Sequence, residues 1–342
     1  MNTVEFGMWR PELNDVGMER MRTEKVDRII MYSQQEWEYT AFIHFDFLVE
    51  YSHMYKIPFY VIVCTSKYVK PKHVSDIKHR NVIIQHWGTF FLSETLYHLN
   101  YTGDYLILNN EQYMYPFVSM NSKPHAHRCL MMDILAKYNL IERGAISWLE
   151  YSYPNEIIKE NMLTSVSRGY PYEYWAPHIK KLTEVNPSPN LNYYSVPYEY
   201  KQSFMQLVVE SQEKNHMVSE KSIMPLIYKK PFIVLAAQHH HALLQDYGFQ
   251  LYDEYFDYSF DTDPDLNVRA EAVAKNILRV VDLSSEAQQE VYQLLLPKLE
   301  YNYNLAMSLA TDRTLVPEII LEGFRDPDNV YCSGHLKEMF VK

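Results

Sequence analysis

The stretch of residues 208–249 constrains the fold of this chain most, because apolar segments alternate there with polar junctions. Residues 232–237 form an apolar run of strand length, and residues 242–247 have the pattern of a short helix that Gly248 ends. The stretch therefore predicts a strand–helix–strand–helix unit. Such a unit presents helix N-termini at one edge of a sheet, and that edge binds phosphate well.

The helix predicted before residue 232 begins with residues that suit a nucleotide diphosphate. Ser219 is placed to cap this helix at Glu220 and Lys221, and Pro225 should bend or shorten it. The carboxylate of Glu220 can accept hydrogen bonds from both ribose hydroxyls, and the ammonium of Lys221 can neutralise a diphosphate. The spacing alone also fits a simpler interpretation, in which Glu220 only complements the helix dipole and Lys221 is solvated.

Composition bounds the class of protein. The 342 residues suggest two domains, and the hydrophobic fraction of 47% is ordinary for a globular protein. The net charge of −11 argues against a broadly basic surface that binds nucleic acid. Tyr side chains often stack on sugar rings, but they also pack at half-buried positions, so the 30 Tyr residues identify no sugar site.

The cysteines and the N-terminus indicate a cellular compartment. Cys64, Cys129 and Cys332 are scattered and form no C-x-x-C pair, which favours reduced thiols over a disulfide framework or a zinc site. The first ten residues lack the apolar core of a signal peptide, and no apolar run reaches the roughly 18 residues that span a bilayer. We therefore expect a cytoplasmic protein without a membrane span.

The first third of the chain predicts a parallel sheet. Residues 58–65 form an almost uninterrupted apolar run, which is typical of a central parallel strand. Strands that alternate with helices imply right-handed crossovers. The other predicted strands are residues 26–32, 81–85 and 104–108, and the helical segments are residues 37–55 and 95–99.

A second α/β unit is predicted to begin after the polar residues 109–112. Its first strand, at residues 117–120, is followed by the loop N-S-K-P-H-A-H-R and by a helix from about residue 129 to residue 138. Residues 151–200 are rich in Tyr, Pro and Asn, which predicts a long irregular insertion. Amphipathic helices are predicted at residues 266–281 and 286–310.

One motif resembles a known family. The segment E-S, six residues, V-S-E-K, followed by a short helix and P-F-I-V, is similar to the nucleotide-sugar motif of the α-1,3-fucosyltransferases. It is still more similar to a glycosyltransferase family of phages and large viruses, whose pattern is T-E-K, a helix, P-F-I and a helix that ends in G-F. The loop with H-R and a later G-x-x-S at residues 144–147 belong to the same resemblance, which extends from about residue 115 to about residue 278.

The resemblance implies an α/β protein of the GT-B-like class, with two Rossmann-like domains that face across a cleft. The first domain would cover residues 1–112 and receive the acceptor. The second domain, residues 113–283, would bind the nucleotide sugar. The helices of residues 284–342 would pack back on the first domain.

The resemblance also implies a donor site. Arg128 matches an Arg that meets the diphosphate, although at a helix start it also fits an ordinary surface position. With Lys221 it would stabilise the leaving diphosphate, while Glu220 would bind ribose beside the cap residue Ser219. The family's E-N pair falls on Glu210 and Ser211. The resemblance implies that this pair contacts the donor sugar, with Ser in place of the family's Asn.

Histidines and aspartates near the predicted donor site raise the question of a metal. The run His239–His241 follows a predicted strand and opens a helix, so we expect His239 or His241 to contact the donor. Asp261 and Asp263 have the D-x-D spacing of metal-dependent glycosyltransferases, but just before Pro264 such residues usually form turns and caps. We therefore expect no metal and no cofactor.

The acceptor side is less marked in the sequence. An inverting transferase needs a carboxylate base, and Glu36 and Glu94 follow predicted strands without any motif to support them. The basic segment of residues 67–80 is either a solvated face or the contact for a polyanionic acceptor. Its predicted acceptor-binding residues are Lys67, Lys70 and Lys72.

Together these features predict a metal-independent glycosyltransferase of phage or viral origin, a hexosyl- or pentosyltransferase acting in the host cytoplasm. Its donor would be a nucleotide sugar linked to UDP or GDP. Its acceptor would be a hydroxyl on a glycan or small molecule. One alternative acceptor is phage DNA with hydroxymethylated bases. Another alternative is a nucleotide-binding protein that transfers nothing.

Overall fold

The structure is a computed structural model. It describes residues 2–7, 11–33, 42–64, 81–102, 113–121, 125–148, 197–211, 213, 216–325 and 336–341. The strand predicted at residues 104–108, the hinge at 109–112 and nearly all of the predicted insertion lie outside this part of the chain. Each of the two compact units described below contains a parallel sheet, so the predicted α/β class is confirmed.

The chain divides into two compact units. The first unit comprises Met1–Glu94, Asn215–Met217 and Leu309–Lys342, and the second comprises Thr95–Lys214 and Val218–Ser308. The domain boundaries expected after residues 112 and 283 stay predictions.

Among the described residues of the first unit, four strands form a parallel sheet in the order β1-β2-β3-β4. The three apolar runs predicted at residues 26–32, 58–65 and 81–85 supply β2, β3 and β4. The short segment that forms β1 was not predicted, because a charged residue, Glu5, interrupts its apolar pattern. The strands are β1 (Thr3–Gly7), β2 (Arg28–Ser33), β3 (Phe59–Val63) and β4 (Val82–His86).

Helices cover the sheet of the first unit. Helix α2 buries Phe45, Leu48 and Val49 in the same apolar cluster as Ile29 and Val61 of the sheet. Burying one such side chain contributes about 1.5–3 kcal/mol, so this face holds α2 in place. The helices named from this part of the chain are α1 (Pro11–Thr23), α2 (Phe45–Tyr55) and α3 (Phe90–Thr102), of which α3 continues into the second unit.

In the described part of the second unit, four strands form a parallel sheet in the order β6-β5-β7-β8. Its strands are β5 (Tyr115–Asn121), β6 (Ala145–Trp148), β7 (Ser203–Val209) and β8 (Phe232–Leu235). Because β6 and β7 lie on opposite sides of β5, the strand order reverses between β5 and β7. In open α/β sheets, ligands bind outside the carboxyl ends of the strands at such a switch point.

The helices of this unit follow the predicted pattern closely. Residues 266–281 form the predicted amphipathic helix, and Gly248, at a φ of 93°, follows the short helix after β8. The residue just before β6 is a glycine, Gly144, because a Cβ at this position would overlap the ring of Phe117 on β5. The helices are α4 (Ala126–Lys137), α5 (Tyr198–Lys201), α6 (Glu220–Ile227), α7 (His240–Asp246), α8 (Leu266–Val281) and α9 (Ser285–Thr311), whose last residues belong to the first unit.

The described residues after α9 include two further α-helices of the first unit, α10 (Glu318–Arg325) and α11 (Lys337–Phe340). An ion pair of 2.7 Å from Arg28 Nη1 to Glu322 Oε2 links α10 to β2. None of the helices within the described residues is long and apolar enough to cross a membrane.

Candidate functional site

The carboxyl ends of β5 and β7 bring predicted donor residues together. Arg128 stands in the first turn of α4, Ser211 follows β7, and Lys221 stands in the first turn of α6. Lys221 Nζ donates to Ser211 Oγ at 2.9 Å. Arg128 Nη2 donates to the same oxygen and to the carbonyl of Glu210, each at 3.5 Å. Two cations from separate segments therefore converge on one hydroxyl at the switch point.

The carboxylate of Glu210 holds the backbone of this site in place. Glu210 is 1% exposed, and each of its two carboxylate oxygens accepts two hydrogen bonds. Burial alone would raise the pKa of Glu210, but the charges of His240 and Lys221 and the serine hydroxyls outweigh burial and lower it. Its donors are Ser211 N (3.1 Å), Ser219 N (3.1 Å), Ser219 Oγ (2.5 Å) and Ser222 Oγ (2.6 Å).

These bonds give Glu210 a structural task that the sequence did not indicate. Its carboxylate ties the end of β7 to the start of α6, and its four donors occupy both oxygens. The residue positions its neighbours, because a fully bonded buried carboxylate is rigid. The predicted contact between Glu210 and a donor sugar stays a prediction.

Helix α6 begins as predicted, with Ser219 as its N-cap. The Ser219 hydroxyl accepts from Lys221 N at 3.2 Å while it donates to Glu210, so one hydroxyl serves both the cap and the carboxylate. Pro225 has no N–H for the carbonyl of Lys221, which lies four residues earlier. Gln206 Nε2 of β7 donates to that carbonyl at 3.4 Å. The helix therefore continues through the proline.

Glu220 and Lys221 form an ion pair at the mouth of the site. Lys221 Nζ donates to Glu220 Oε1, and the two side chains keep 18% and 16% of their surface exposed. A ligand can therefore reach both charged groups. The predicted contact of Glu220 with ribose is compatible with this exposure and remains a prediction.

Two residues that the sequence did not single out, His127 and Glu213, lie beside Arg128. His127 Nε2 lies 2.6 Å from the carbonyl of Glu210, and Nδ1 lies 3.7 Å from Glu213 Oε2. Burial lowers the pKa of His127 to about 3, although the hydrogen bond with that carbonyl opposes the shift. The H-R pair in the loop was a signal for His127, whereas no pattern marked Glu213.

The three histidines after β8 face different ways. His241 is buried, and its Nδ1 bonds Asp261 Oδ1 at 2.8 Å. His240 is buried with Nε2 3.4 Å from Ser222 Oγ. His239 is exposed in a left-handed conformation with a φ of 66°. The structure therefore does not gather the run at one point.

The D-x-D residues are used within the fold. Oxygens of Asp261 accept from the backbone N–H groups of His241 (3.0 Å) and Ala242 (3.1 Å) at the start of α7. Burial alone would raise the pKa of Asp261, but the bonds and charge from His241 outweigh burial and lower it to about 2. Asp263 Oδ1 accepts from the backbone of Asp265 at 2.8 Å. Both aspartates form caps and turns, as expected.

Metal ligands are not clustered in the part of the chain that the structure describes: no three His, Cys, Asp or Glu residues there are arranged to hold an ion. Arg269 of α8, another residue that sequence reasoning missed, bonds the carbonyls of Asp263 (2.6 Å) and Ala236 (3.1 Å). It fixes the turn that contains the D-x-D residues to the end of β8.

Of the predicted acceptor-side residues, only Glu94 is among those that the structure describes, and it belongs to the first unit. Glu94 is a residue of α3. Burial of Cys64, at the end of β3, raises the pKa of its thiol, and the charge of Glu94 raises that pKa further. Glu36, Lys67, Lys70 and Lys72 lie outside the described residues. A surface cavity of about 640 Å³ in the first unit, lined by residues such as Gln85, His86 and Arg313, contains none of the predicted site residues.

Comparison with known proteins adds little to this geometry. No protein-family model and no curated protein matches the chain. It is similar to a solved crystal structure of an α1,3-fucosyltransferase, with 9% sequence identity, a TM-score of 0.29 and coverage of 92% of each chain. A TM-score of this size does not establish a common fold. The resemblance to the phage and large-virus family therefore rests on the motif residues alone.

Proposed function

We propose that this protein is a glycosyltransferase that binds a nucleotide sugar at the switch point of the second unit. The observation that carries the proposal is the convergence of Arg128 and Lys221 on Ser211 Oγ, at 3.5 and 2.9 Å. The E-S, V-S-E-K motif supplies Ser211 and Lys221, so the resemblance and the geometry point to the same place.

The chemistry of this cluster suits a diphosphate leaving group. Negative charge develops on the diphosphate as the bond to the sugar breaks, and fixed positive charges stabilise that charge. Lys221 adds its charge at the N-terminus of α6, where the helix dipole also favours anions. We expect the diphosphate to replace Glu220 as the partner of the Lys221 ammonium, which would leave the Glu220 carboxylate to accept from ribose hydroxyls.

The proposal includes transfer without a divalent metal. Arg128 and Lys221 bring the positive charge that a metal supplies in other transferases. The carboxylate of Asp261 supports this part of the proposal, because three hydrogen bonds from His241 and Ala242 occupy it.

The finer parts of the proposal come from the motif resemblance. They are the GT-B type, a donor linked to UDP or GDP, a hexosyl or pentosyl group, a phage or viral origin and action in the cytoplasm. Glu94 and Glu36 remain the proposed bases. The acceptor is a glycan or small molecule, with modified DNA as the alternative that the basic segment of residues 67–80 favours.

A binding screen tests the proposal. Calorimetry with UDP-, GDP-, ADP- and CMP-sugars should detect binding of at least one donor class. An assay with the labelled form of that donor should then show transfer of the sugar to water or to an acceptor. Binding without any release would favour a nucleotide-binding protein that transfers nothing. No binding in the whole screen would overturn the proposal.

A further inference from the structure

The orientation of His127 determines which of its nitrogens can accept a hydrogen bond. Nε2 lies 2.6 Å from the carbonyl oxygen of Glu210, and a carbonyl oxygen can only accept, so Nε2 carries the proton. The low pKa of His127, about 3, keeps the ring neutral. In a neutral imidazole the other nitrogen is an acceptor, and His127 Nδ1 therefore has a lone pair to offer.

That lone pair faces a second acceptor. Oε2 of Glu213 lies 3.7 Å from His127 Nδ1, which is too long for a direct hydrogen bond. The side chain of Glu213 is 31% exposed, so solvent or a ligand reaches it. Two acceptors that face each other without a proton between them are complementary to a group that brings donors.

The acceptor pair adjoins the proposed diphosphate site. His127 Nε2 and Arg128 Nη2 both donate to the carbonyl of Glu210, at 2.6 and 3.5 Å. The residue that accepts both bonds is followed directly by Ser211, on which Arg128 and Lys221 converge. A group attached to a diphosphate in this site would therefore lie next to the acceptor pair.

We propose that His127 Nδ1 and Glu213 Oε2 bind two neighbouring hydroxyl groups of the donor's sugar. The inference rests on the proposed function, because it needs a nucleotide sugar whose diphosphate lies beside Arg128. Adjacent hydroxyls on a sugar ring each carry one donated proton and match a pair of acceptors. Sugars with a free vicinal diol are the ligand class that this pair selects.

The test separates the sugar from the diphosphate. Calorimetry would measure the affinities of UDP, UDP-glucose, UDP-galactose, GDP, GDP-mannose and GDP-fucose for the whole chain. Glu213→Gln puts an amide donor opposite His127 Nδ1 and lets the two side chains bond each other. His127→Gln offers an N–H donor to the Glu210 carbonyl but has no acceptor attached at Cγ, where His127 carries Nδ1. Each variant should weaken binding of the preferred nucleotide sugar roughly tenfold or more and leave binding of its free diphosphate unchanged.

Glu290→Gln is the matched control, because Glu290 is exposed on α9. It should change neither affinity. Equal loss of both ligands, or no loss of either, in the Glu213 and His127 variants would overturn the inference while the proposed function stands. Failure of the native protein to bind any of these six ligands or the ADP- and CMP-sugars of the wider screen would overturn both.

Discussion

Arg128 and Lys221 are distant in the sequence, yet their side chains donate to the same hydroxyl, Ser211 Oγ, at 3.5 and 2.9 Å. Like charges held this close repel each other, and an anion between them relieves the repulsion. The two cations are fixed by different elements, α4 and α6, which start at the carboxyl ends of β5 and β7. The pair is therefore suited to an anion that binds at the switch point.

The first prediction concerns these cations. Lys221→Ala and Arg128→Ala should each weaken binding of the nucleotide diphosphate by about 1.5–3 kcal/mol, because each removes a hydrogen bond from a charged donor. Calorimetry with the free diphosphate measures the change. Lys275→Ala is the control, since Lys275 is exposed on α8 of the same unit. Unchanged affinity in both site variants would exclude a diphosphate here.

Arg128 is 2% exposed, so its removal can also cost stability. Arg128→Lys keeps the charge and separates the two effects. We expect this variant to bind the diphosphate better than Arg128→Ala. A variant that unfolds at lower temperature but binds normally when folded would show that Arg128 is only structural.

The second prediction concerns Glu210. Glu210→Gln leaves one carbonyl oxygen for four donors and should lower the free energy of unfolding by about 1–3 kcal/mol. Urea denaturation measures this change, with Glu290→Gln as the exposed control. Equal stability of the native protein and the Glu210→Gln variant would contradict the structural task assigned to this carboxylate.

The pKa of Glu210 adds a pH dependence to the same comparison. Because the folded pKa lies below the unfolded value, the carboxylate stabilises the fold above the unfolded pKa of about 4.3 and loses that contribution as the pH falls through the folded pKa. The difference in stability between native protein and Glu210→Gln should therefore shrink in acid. A constant difference from pH 7 to pH 3 would argue against the lowered pKa.

The third prediction concerns Glu5 of β1. Its carboxyl oxygens are buried without a hydrogen-bond partner among the described residues, and burial raises its pKa to about 8 despite the nearby Arg28 and Arg20. Because the pKa of Glu5 is higher in the folded state, the protonated side chain makes its full contribution to stability below about pH 4.3. The fold loses this contribution as the pH rises through about 8. Glu5→Gln should abolish this loss.

Urea denaturation at pH 5 and pH 8.5 tests the prediction for Glu5. Between these values the native protein should lose a few kcal/mol more stability than Glu5→Gln, on the order expected from the shifted pKa. Glu19→Gln is the control on the same unit, because Glu19 is exposed on α1. Parallel pH profiles for the native protein and Glu5→Gln would show that Glu5 is not protonated in the fold.

The fourth prediction is that transfer needs no divalent metal. Turnover should therefore persist in EDTA. Asp261→Asn should lower the stability of the fold, because the Asp261 carboxylate accepts three hydrogen bonds at the start of α7. Activity assays with and without EDTA and thermal unfolding measure these effects. Turnover that EDTA abolishes and manganese restores would contradict the prediction and direct attention to Asp261 and Asp263.

Much of the local structure could be predicted from the sequence. Periodicity located α8 at residues 266–281, and apolar runs located β2, β3 and β8 to within a few residues. The Ser219 cap was also predictable, since a capping hydroxyl needs only the residues that follow it. Strand β1 was not predicted, because the carboxyl group of Glu5 interrupts its apolar residues. A buried carboxyl group is rare in a strand.

The sequence by itself determined most of the elements and the chemical types at their ends: Arg128 near the start of α4, and Glu220 and Lys221 at the start of α6. Only the tertiary structure decided which of these ends meet. The order β6-β5-β7-β8 places the carboxyl ends of β5 and β7 side by side, and this brings His127 to the carbonyl of Glu210 and to Glu213. The physical reason is that helix and strand patterns depend on residues a few positions apart, whereas strand order depends on long-range packing that no local pattern encodes.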